Sequence, residues 1–339
     1  MLPRIEIRFP LRYQWRYCFG KPYEPTEGEF LLNHARTGII LALKALNLPS
    51  GVAVGVMTYN CKSVFNAVHQ AGYKIVFIDV THNLTIDMGD LGKKRPQISA
   101  LIVTHLFDIE NDIAAIRSQY PDLPIIEDCA HACGKVDIEG DMAVFSIGQG
   151  KLPSIGNGGI LRVKNSDYVL KIQELYAQLS DYTFLQSVKL FVTLLMRTLV
   201  SLPLLYGITL RLKQNRKSPG LEPITEKKMC RGISAIYATE RSKIGELIGQ
   251  RSAKAKERTE EIQHSENVRR IMSGKNVFML IADCENPKLL QGQLRHRGID
   301  SATHFAHCID WAKEFGYQDG SCPNAEYLIQ HLLMIPTYK

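Results

Sequence analysis

The sequence predicts an α/β protein: a mostly parallel central sheet flanked by helices, followed by a smaller α+β C-terminal domain. Three observations carry this. Between about 51 and 163, short β-branched runs alternate with amphipathic stretches of helical length. Those runs are mostly apolar, as strands covered on both faces must be. Beyond Val163 the pattern changes to longer helical stretches. At 339 residues the chain is long enough for two domains. We divide it into a large domain, 1–235, which includes an apolar segment at 185–212 and a linker at 213–225, and a small domain, 236–339.

The expected strands are Val52–Val56, Ile75–Asp79, Ala100–Thr104, Ile125–Glu127, Met142–Ser146 and Gly159–Val163. Helical stretches at Lys62–Ala71 and Asn111–Tyr120 lie between them, and Ile39–Leu46 forms a helix opened by His34-Ala-Arg-Thr-Gly38. Ser166–Ser180 reads as a helix. Leu185–Leu212 is strongly apolar, but its charge-free stretch Thr198–Leu210 is 13 residues long, short of the roughly 20 that a spanning helix needs. A basic cluster follows at Arg211, Lys213, Arg216 and Lys217, and then a Pro-containing linker at Ser218–Pro223. The pattern next predicts a long charged helix from Ile233 to about Gln263, a strand at Val277–Ala282 and a helix at Lys288–Arg297.

Composition limits the function. Lys and Arg number 41 against 34 Asp and Glu, a formal charge of +7, which suits anionic ligands without pointing to nucleic acid. The eight cysteines form no CxxC pair, and Met1–Cys18 is broken by five Arg or Glu residues and so does not read as a signal sequence. A reducing, cytoplasmic location is expected.

Chemistry concentrates in two segments. In Ile125-Ile-Glu-Asp-Cys-Ala-His131, Asp128 ends a buried strand, where ligands meet a parallel sheet. Capping a following helix through its amides would explain it equally well. Twenty-three positions on lies Lys151, in Ser146-Ile-Gly-Gln-Gly-Lys151-Leu-Pro-Ser-Ile-Gly-Asn-Gly-Gly159. This is not a nucleotide phosphate loop: Phe145 stands where the first glycine belongs and Leu152 follows the lysine. A strand-end Asp and a loop Lys suit pyridoxal phosphate, the Lys as Schiff-base former and the Asp as keeper of the ring nitrogen's proton. Arg36, Thr37 and Gly38 at a helix start could bind a phosphate, or be an ordinary cap. His304, His307 and Cys308 lack a convincing fourth metal ligand.

In order, Ala35-Arg-Thr37, Ala71-Gly-Tyr-Lys-Ile-Val-Phe-Ile-Asp79, Glu127-Asp-Cys-Ala-His131, Ser146-Ile-Gly-Gln-Gly-Lys151 and Gly156-Asn-Gly-Gly159 resemble the motifs of the DegT/DnrJ/StrS sugar-nucleotide aminotransferases. The resemblance implies the pyridoxal-phosphate-dependent transferase fold type I. It assigns Lys151 as the Schiff-base lysine, Asp128 to the ring nitrogen, His131 to the ring hydroxyl, and Ser146 with Ala35, Arg36 and Thr37 to the phosphate. Arg297-Gly-Ile-Asp-Ser-Ala-Thr-His304-Phe305 resembles the family's Arg-Gly-Ile…His-Tyr stretch, placing His304 and Phe305 near substrate.

Two positions depart from the family pattern. The aromatic that stacks on the cofactor ring falls at Cys61 in Met57-Thr-Tyr-Asn-Cys61, which leaves Tyr59 or Asn60 to cover the ring. The Asn that reaches the phosphate in the partner subunit falls at Cys230.

The resemblance implies a homodimeric aminotransferase moving an amino group, from glutamate as the expected donor, to a keto-sugar nucleotide in amino-sugar or surface-polysaccharide biosynthesis. A related dehydratase carries His in place of the lysine, and Lys151 argues against it. The rival class is a degenerate, cofactor-free member acting as a binding or membrane-associated assembly protein. For 185–217 two roles stay open: packing into the protein's own core or dimer interface, or a peripheral contact with an anionic membrane surface.

Overall fold

A computed structural model describes residues 2–338 other than 4, 8, 133, 136, 204 and 208–222. Its elements in chain order are α1 (Leu11–Phe19), β1 (Glu29–Leu32), α2 (Ala35–Ala45), β2 (Ala53–Met57), α3 (Lys62–Gln70), β3 (Lys74–Ile78), α4 (Met88–Lys94), β4 (Ile98–Thr104), α5 (Ile113–Gln119), β5 (Ile125–Cys129), β6 (Met142–Ser146) and β7 (Gly159–Val163). There follow α6 (Val169–Ala177), α7 (Phe184–Val200), α8 (Arg231–Glu240), α9 (Ile244–Ile262), β8 (Val268–Ser273), β9 (Met279–Cys284), α10 (Pro287–His296), α11 (Cys308–Lys313), α12 (Pro323–His331) and β10 (Leu332–Pro336).

The first sheet has the order β1-β7-β6-β5-β4-β2-β3. The strands β3, β2, β4, β5 and β6 are parallel, while β7 joins β6, and β1 joins β7, antiparallel. Burial explains the apolar runs: all of β5 is buried, and β4 is buried except at Ser99. All five parallel strands therefore end at one edge, where Asn60, Thr104, Asp128 and Ser146 stand at or just beyond the last strand residues. Gly159 is needed at the start of β7, because an added Cβ would fall 2.2 Å from the Ala35 nitrogen. Its absence lets the first turn of α2 sit directly over the sheet.

The second sheet, order β10-β9-β8, is antiparallel. Its β9 is fully buried, and one face packs on α9 and α10 through Ala255, Ile262, Leu290 and Leu294.

Several elements differ from the sequence expectation. The helix of 233–263 is two, broken by a single tight turn at Arg241–Lys243. The expected strand at 277 begins at Met279, because Val277 takes a φ of 50° and turns the chain. The helix at 39–46 starts earlier, so Ala35, Arg36 and Thr37 form its first turn. In the apolar segment α7 spans Phe184–Val200. Leu194 is buried and Leu190, Phe191 and Leu195 pack on the core, while Val188, Val192, Met196 and Leu199 are exposed. Arg211, Lys213, Arg216, Lys217 and most of the expected linker lie outside the described residues.

Candidate active site

A cavity of about 450 Å³ lies at the carboxyl edge of the first sheet, between it and the segments around Phe278 and Phe305. Of the residues expected from the sequence, Ala35, Arg36, Asn60, Cys61, Asp128, His131, Ser146, Lys151, His304 and Phe305 line it. Two do not. Thr37 is buried and donates to Asn33 Oδ1 at 2.8 Å, which makes it a brace for the α2 start. Tyr59 is fully buried behind the wall, where its hydroxyl donates to the His304 carbonyl at 2.7 Å and its ring meets Phe305 edge-on at 5.7 Å. It positions the 304–305 segment and does not face the cavity.

Asp128 is 4% exposed. Its Oδ1 accepts from the Ala130 amide at 3.0 Å, and its Oδ2 lies 3.4 Å from the Thr104 hydroxyl, which itself accepts from Asn60 Nδ2 at 2.8 Å. No helix follows β5 before Gly140 among the described residues, so Asp128 is not a helix cap. Burial pushes its carboxyl up, against the Ala130 amide and the Lys151 charge, which act the other way.

His131 is 9% exposed and held between rings, 4.6 Å from Phe278 and 5.2 Å from Phe107. Its Nδ1 accepts the Phe107 amide at 3.0 Å. The proton therefore sits on Nε2, a tautomer assigned from this hydrogen bond. Burial, then the Lys151 charge, drives the ring far toward the neutral form. The Lys151 ammonium stands 5.6 Å from the Phe278 ring centre. Its loop is anchored by the N-terminal segment: the Gly150 amide and the Ser154 hydroxyl both donate to the Glu6 carbonyl, at 2.9 and 2.7 Å.

The polar lining is strongly biased toward donors and cations. Asp128 is the only carboxylate among the described lining residues, against Lys151, Arg36 and Arg197. Arg36 Nε and Gln149 Nε2 are buried without a hydrogen-bond partner, a costly arrangement unless a ligand supplies acceptors. Burial lowers the Arg36 guanidinium, partly offset by Cys61. His34 is pushed down to about 3, by burial first and then by Arg36 and Arg197. An anion of phosphate size with several acceptor oxygens fits these groups, and a ring carrying a basic nitrogen fits Asp128.

Sequence reasoning missed His34, Gln149, Arg197 and Phe278. The two motifs quoted for the site contain or flank His34 and Gln149, so both were within reach. Arg197 and Phe278 arrive through tertiary packing of distant elements, and no local pattern marks them. Among the described residues, His105, Glu127 and Cys129 bring ligand-type atoms together. Both His105 nitrogens are already engaged, with Glu127 at 2.8 Å and the Asn111 amide at 3.1 Å. His307 is exposed and faces Asp310, while Cys308 is buried.

The sheet order, the cavity at its carboxyl edge and the paired elements above it define the fold of the pyridoxal-phosphate-dependent transferases of fold type I. Over residues 31–339 the chain matches the DegT/DnrJ/EryC1/StrS aminotransferase family, and it belongs to that family. It is 30% identical over 176 residues to the GDP-perosamine synthase of Vibrio cholerae, 46% of this chain and 48% of that protein. It is 32% identical over 149 residues to the UDP-N-acetyl-3-dehydro-alpha-D-glucosamine 3-aminotransferase of Acidithiobacillus ferrooxidans, 40% of each. These matches span about half the length of the named relatives or less. The putative sugar aminotransferase Spr1654 of Streptococcus pneumoniae, in its PMP form, superposes with a TM-score of 0.75 over 100% of this chain and 94% of that one, at 13% identity. That is a likeness of fold.

Proposed function

We propose that the chain is a pyridoxal-phosphate-dependent aminotransferase that moves an amino group, from glutamate as the expected donor, onto the carbonyl of a keto-sugar nucleotide. The carrying observation is the convergence of Lys151, Asp128, His131 and Arg36 on one donor-rich cavity. Family membership supports it, as do relatives named for sugar-nucleotide products and substrates.

Each residue has a role that follows from its surroundings. When bound, pyridoxal phosphate supplies an aldehyde that condenses with amines and a ring that accepts the electron pair released at the neighbouring carbon. Asp128, oriented by the Ala130 amide and Thr104, holds the proton of the ring nitrogen, and a positive ring relieves the cost of burying its carboxylate. His131 offers its Nε2–H to the ring hydroxyl. Lys151 Nζ would hold the cofactor's aldehyde carbon at rest and, once displaced by the amino donor, would serve as the base that takes the proton from the donor carbon and the acid that delivers it to the former aldehyde carbon, across the nitrogen that joins the two. Phe278 and Phe305 shield this exchange from water. His304 and Phe305, held by Tyr59, border the space left for substrate.

Borohydride reduction of the yellow protein followed by peptide mapping tests the assignment, with the label expected on Lys151. A colourless protein, or a label on another lysine, overturns it; colourless protein favours the degenerate, cofactor-free alternative. Loss of the visible band on adding glutamate, and not on adding other amino acids, identifies the donor.

A homodimer belongs to the same proposal. Leu11, Trp15 and Phe19 of α1 and Val188, Val192 and Met196 of α7 are exposed, and a second copy covering these apolar faces is the expected state. Sedimentation with anionic liposomes tests the competing membrane contact, which requires salt-sensitive binding lost on replacing Arg211, Lys213, Arg216 and Lys217. No described helix is long and apolar enough to cross a membrane. A reducing, cytoplasmic setting is supported by the free thiols of Cys18, Cys61, Cys129, Cys230, Cys284, Cys308 and Cys322.

A further inference from the structure

The cavity holds a cation for which neither the motifs nor the proposed chemistry accounts. Arg197, an exposed residue of α7, lines it together with Arg36 and His34, although α7 is mostly apolar and lies outside every motif of the site. No carboxylate forms an ion pair with Arg197 or Arg36 among the described residues. Two arginines at one cavity without a counter-ion repel each other, and their field adds to burial, the larger cause, in pushing His34 toward the neutral form. A dianion placed between them removes that repulsion and supplies acceptors for Arg36 Nε and Gln149 Nε2, both buried and unpartnered. The Ser146 hydroxyl, which accepts from the Gly148 amide at 3.4 Å, lines the same cavity.

The placement of Arg197 is built into the packing. Leu194, one helical turn earlier and 2% exposed, seats α7 on the loop that carries Lys151. Gly156 makes the seat: with a φ of 107° and no side chain it lets Leu194 approach, since an added Cβ would lie 2.5 Å from Leu194 Cδ2. One turn beyond, the Ser201 hydroxyl donates to the Thr198 carbonyl at 2.7 Å and lies 3.3 Å from the Ile7 carbonyl, so this end of the helix runs beside the N-terminal segment. The helix is thus seated at Leu194 on one side of Arg197 and flanked by the N-terminal segment on the other. Cys230, where the sequence resemblance leads one to expect a phosphate contact to the neighbouring subunit, is buried, with its sulfur 3.1 Å from the Tyr17 hydroxyl. It makes no outward contact, and the cation that could compensate stands on the chain's own α7.

We propose that Arg197 binds the cofactor phosphate within its own chain, pairing with Arg36 across it and replacing the contact that Cys230 does not make. This rests on the pyridoxal-phosphate reading. A guanidinium presents a planar fork to phosphate oxygens, so lysine should substitute only in part.

Apoprotein titrated with pyridoxal 5'-phosphate, and in parallel with pyridoxal, which lacks the phosphate, tests it by fluorescence quenching without any turnover. Arg197→Gln is expected to weaken the phosphorylated ligand about 10- to 100-fold, the range for a lost charge-assisted hydrogen bond, and to leave pyridoxal within about twofold. Arg197→Lys should recover part of the loss, and Lys189→Gln, on the same helix but away from the cavity, should match the parent protein. Unchanged affinity for the phosphorylated ligand in Arg197→Gln overturns the inference and leaves the enzyme reading intact. Equal weakening of both ligands also overturns it, because Arg197 would then shape the cavity without touching the phosphate. If the parent protein binds neither ligand, the pyridoxal-phosphate reading itself fails, and this inference with it.

Discussion

Glu127 and Asp128 are neighbours on β5 and both are buried, yet the two faces of the strand treat them in opposite ways. Successive side chains of a strand point to opposite faces. Glu127 enters a closed network: Oε2 meets His105 Nε2 at 2.8 Å and Lys135 Nζ at 3.6 Å, and Oε1 accepts the amides of Glu139 and Gly140 at 2.6 Å each. Burial alone would raise its carboxyl, but His105 and the Gly140 amide hold it below the usual range. Asp128 faces the cavity with fewer partners, and burial prevails. A satisfied buried carboxylate is a fastening, whereas one left short of partners beside a cavity is set up to take a cationic ligand.

The largest effect expected from this contrast is at Asp128. Asp128→Ala should reduce turnover by about 100-fold or more, the scale of a lost proton-holding group, while the apoprotein keeps its thermal midpoint. The sign follows from the upward shift. Its contribution to apoprotein stability is present at low pH and is lost as pH rises through the raised folded-state value, so the variant should be at least as stable as the parent at pH 8. Near-normal turnover would reduce Asp128 to the Asx turn it forms with Ala130.

Glu127→Gln should give the reverse pattern. Removing one partner from a buried charged network costs about 3 kcal/mol, read as a lower urea midpoint, with turnover per folded molecule close to the parent. Because the Glu127 carboxyl is held down, its stabilisation is present above the ordinary carboxylate range and is lost as pH falls through the lowered folded-state value. The variant should therefore lose stability at pH 7 and differ little from the parent in strong acid. Equal losses at both extremes would mean that packing, and not charge, sets the effect.

The sequence made this strand legible and hid much around it. The strands β2, β4, β5 and β6 announce themselves because burial on both faces forces continuous apolar runs, and Met142–Ser146 and Gly159–Val163 coincide with the expectation residue for residue. The edge strand β1, at four residues with a leading Glu29, has no such run. The helix α1 was hidden because Leu11, Trp15 and Phe19 lie on its exposed side and arginines interrupt the pattern. At the site, Asp128, His131 and Lys151 are readable as motif residues because strand ends and the loop next to them fix their places locally. Arg197 and Phe278 reach the cavity only because Leu194 docks on Gly156 and because the chain turns at Val277, and such long-range seating leaves no local period in the sequence. Tyr59 misled for the complementary reason: it lies one residue from a cavity-facing stretch, and strand-like alternation sends its side chain to the back of the wall.

The finest test of the contrast uses Asp108, which is fully buried and raised to about 6 by burial, against hydrogen bonds from Asn276. It shares the upward shift of Asp128 but is not among the residues that line the Asp128 cavity. Its carboxylate accepts the amide and the side-chain nitrogen of Asn276, fastening the turn after β4 to the segment that delivers Phe278. Its φ is 69°, a conformation that Asn tolerates better than most residues, and an Asn can keep the pairing if the Asn276 amide turns over. Its stabilising contribution is present below the ordinary carboxylate range and declines as pH rises through about 6. Asp108→Asn should accordingly leave stability at pH 3 nearly unchanged and raise it by about 1 kcal/mol at pH 8, a fraction of the full linkage because the hydrogen bonds to the charged form are weakened. Urea midpoints at the two pH values read the difference. Turnover should stay near the parent's, since Asp108 is not among the residues lining the cavity and Asn preserves the pairing with Asn276 that holds the Phe278 segment. A large loss of turnover with unchanged stability would show that an upward shift alone marks a working carboxylate. The predicted outcome instead ties that role to facing the cavity, which Asp128 does and Asp108 does not.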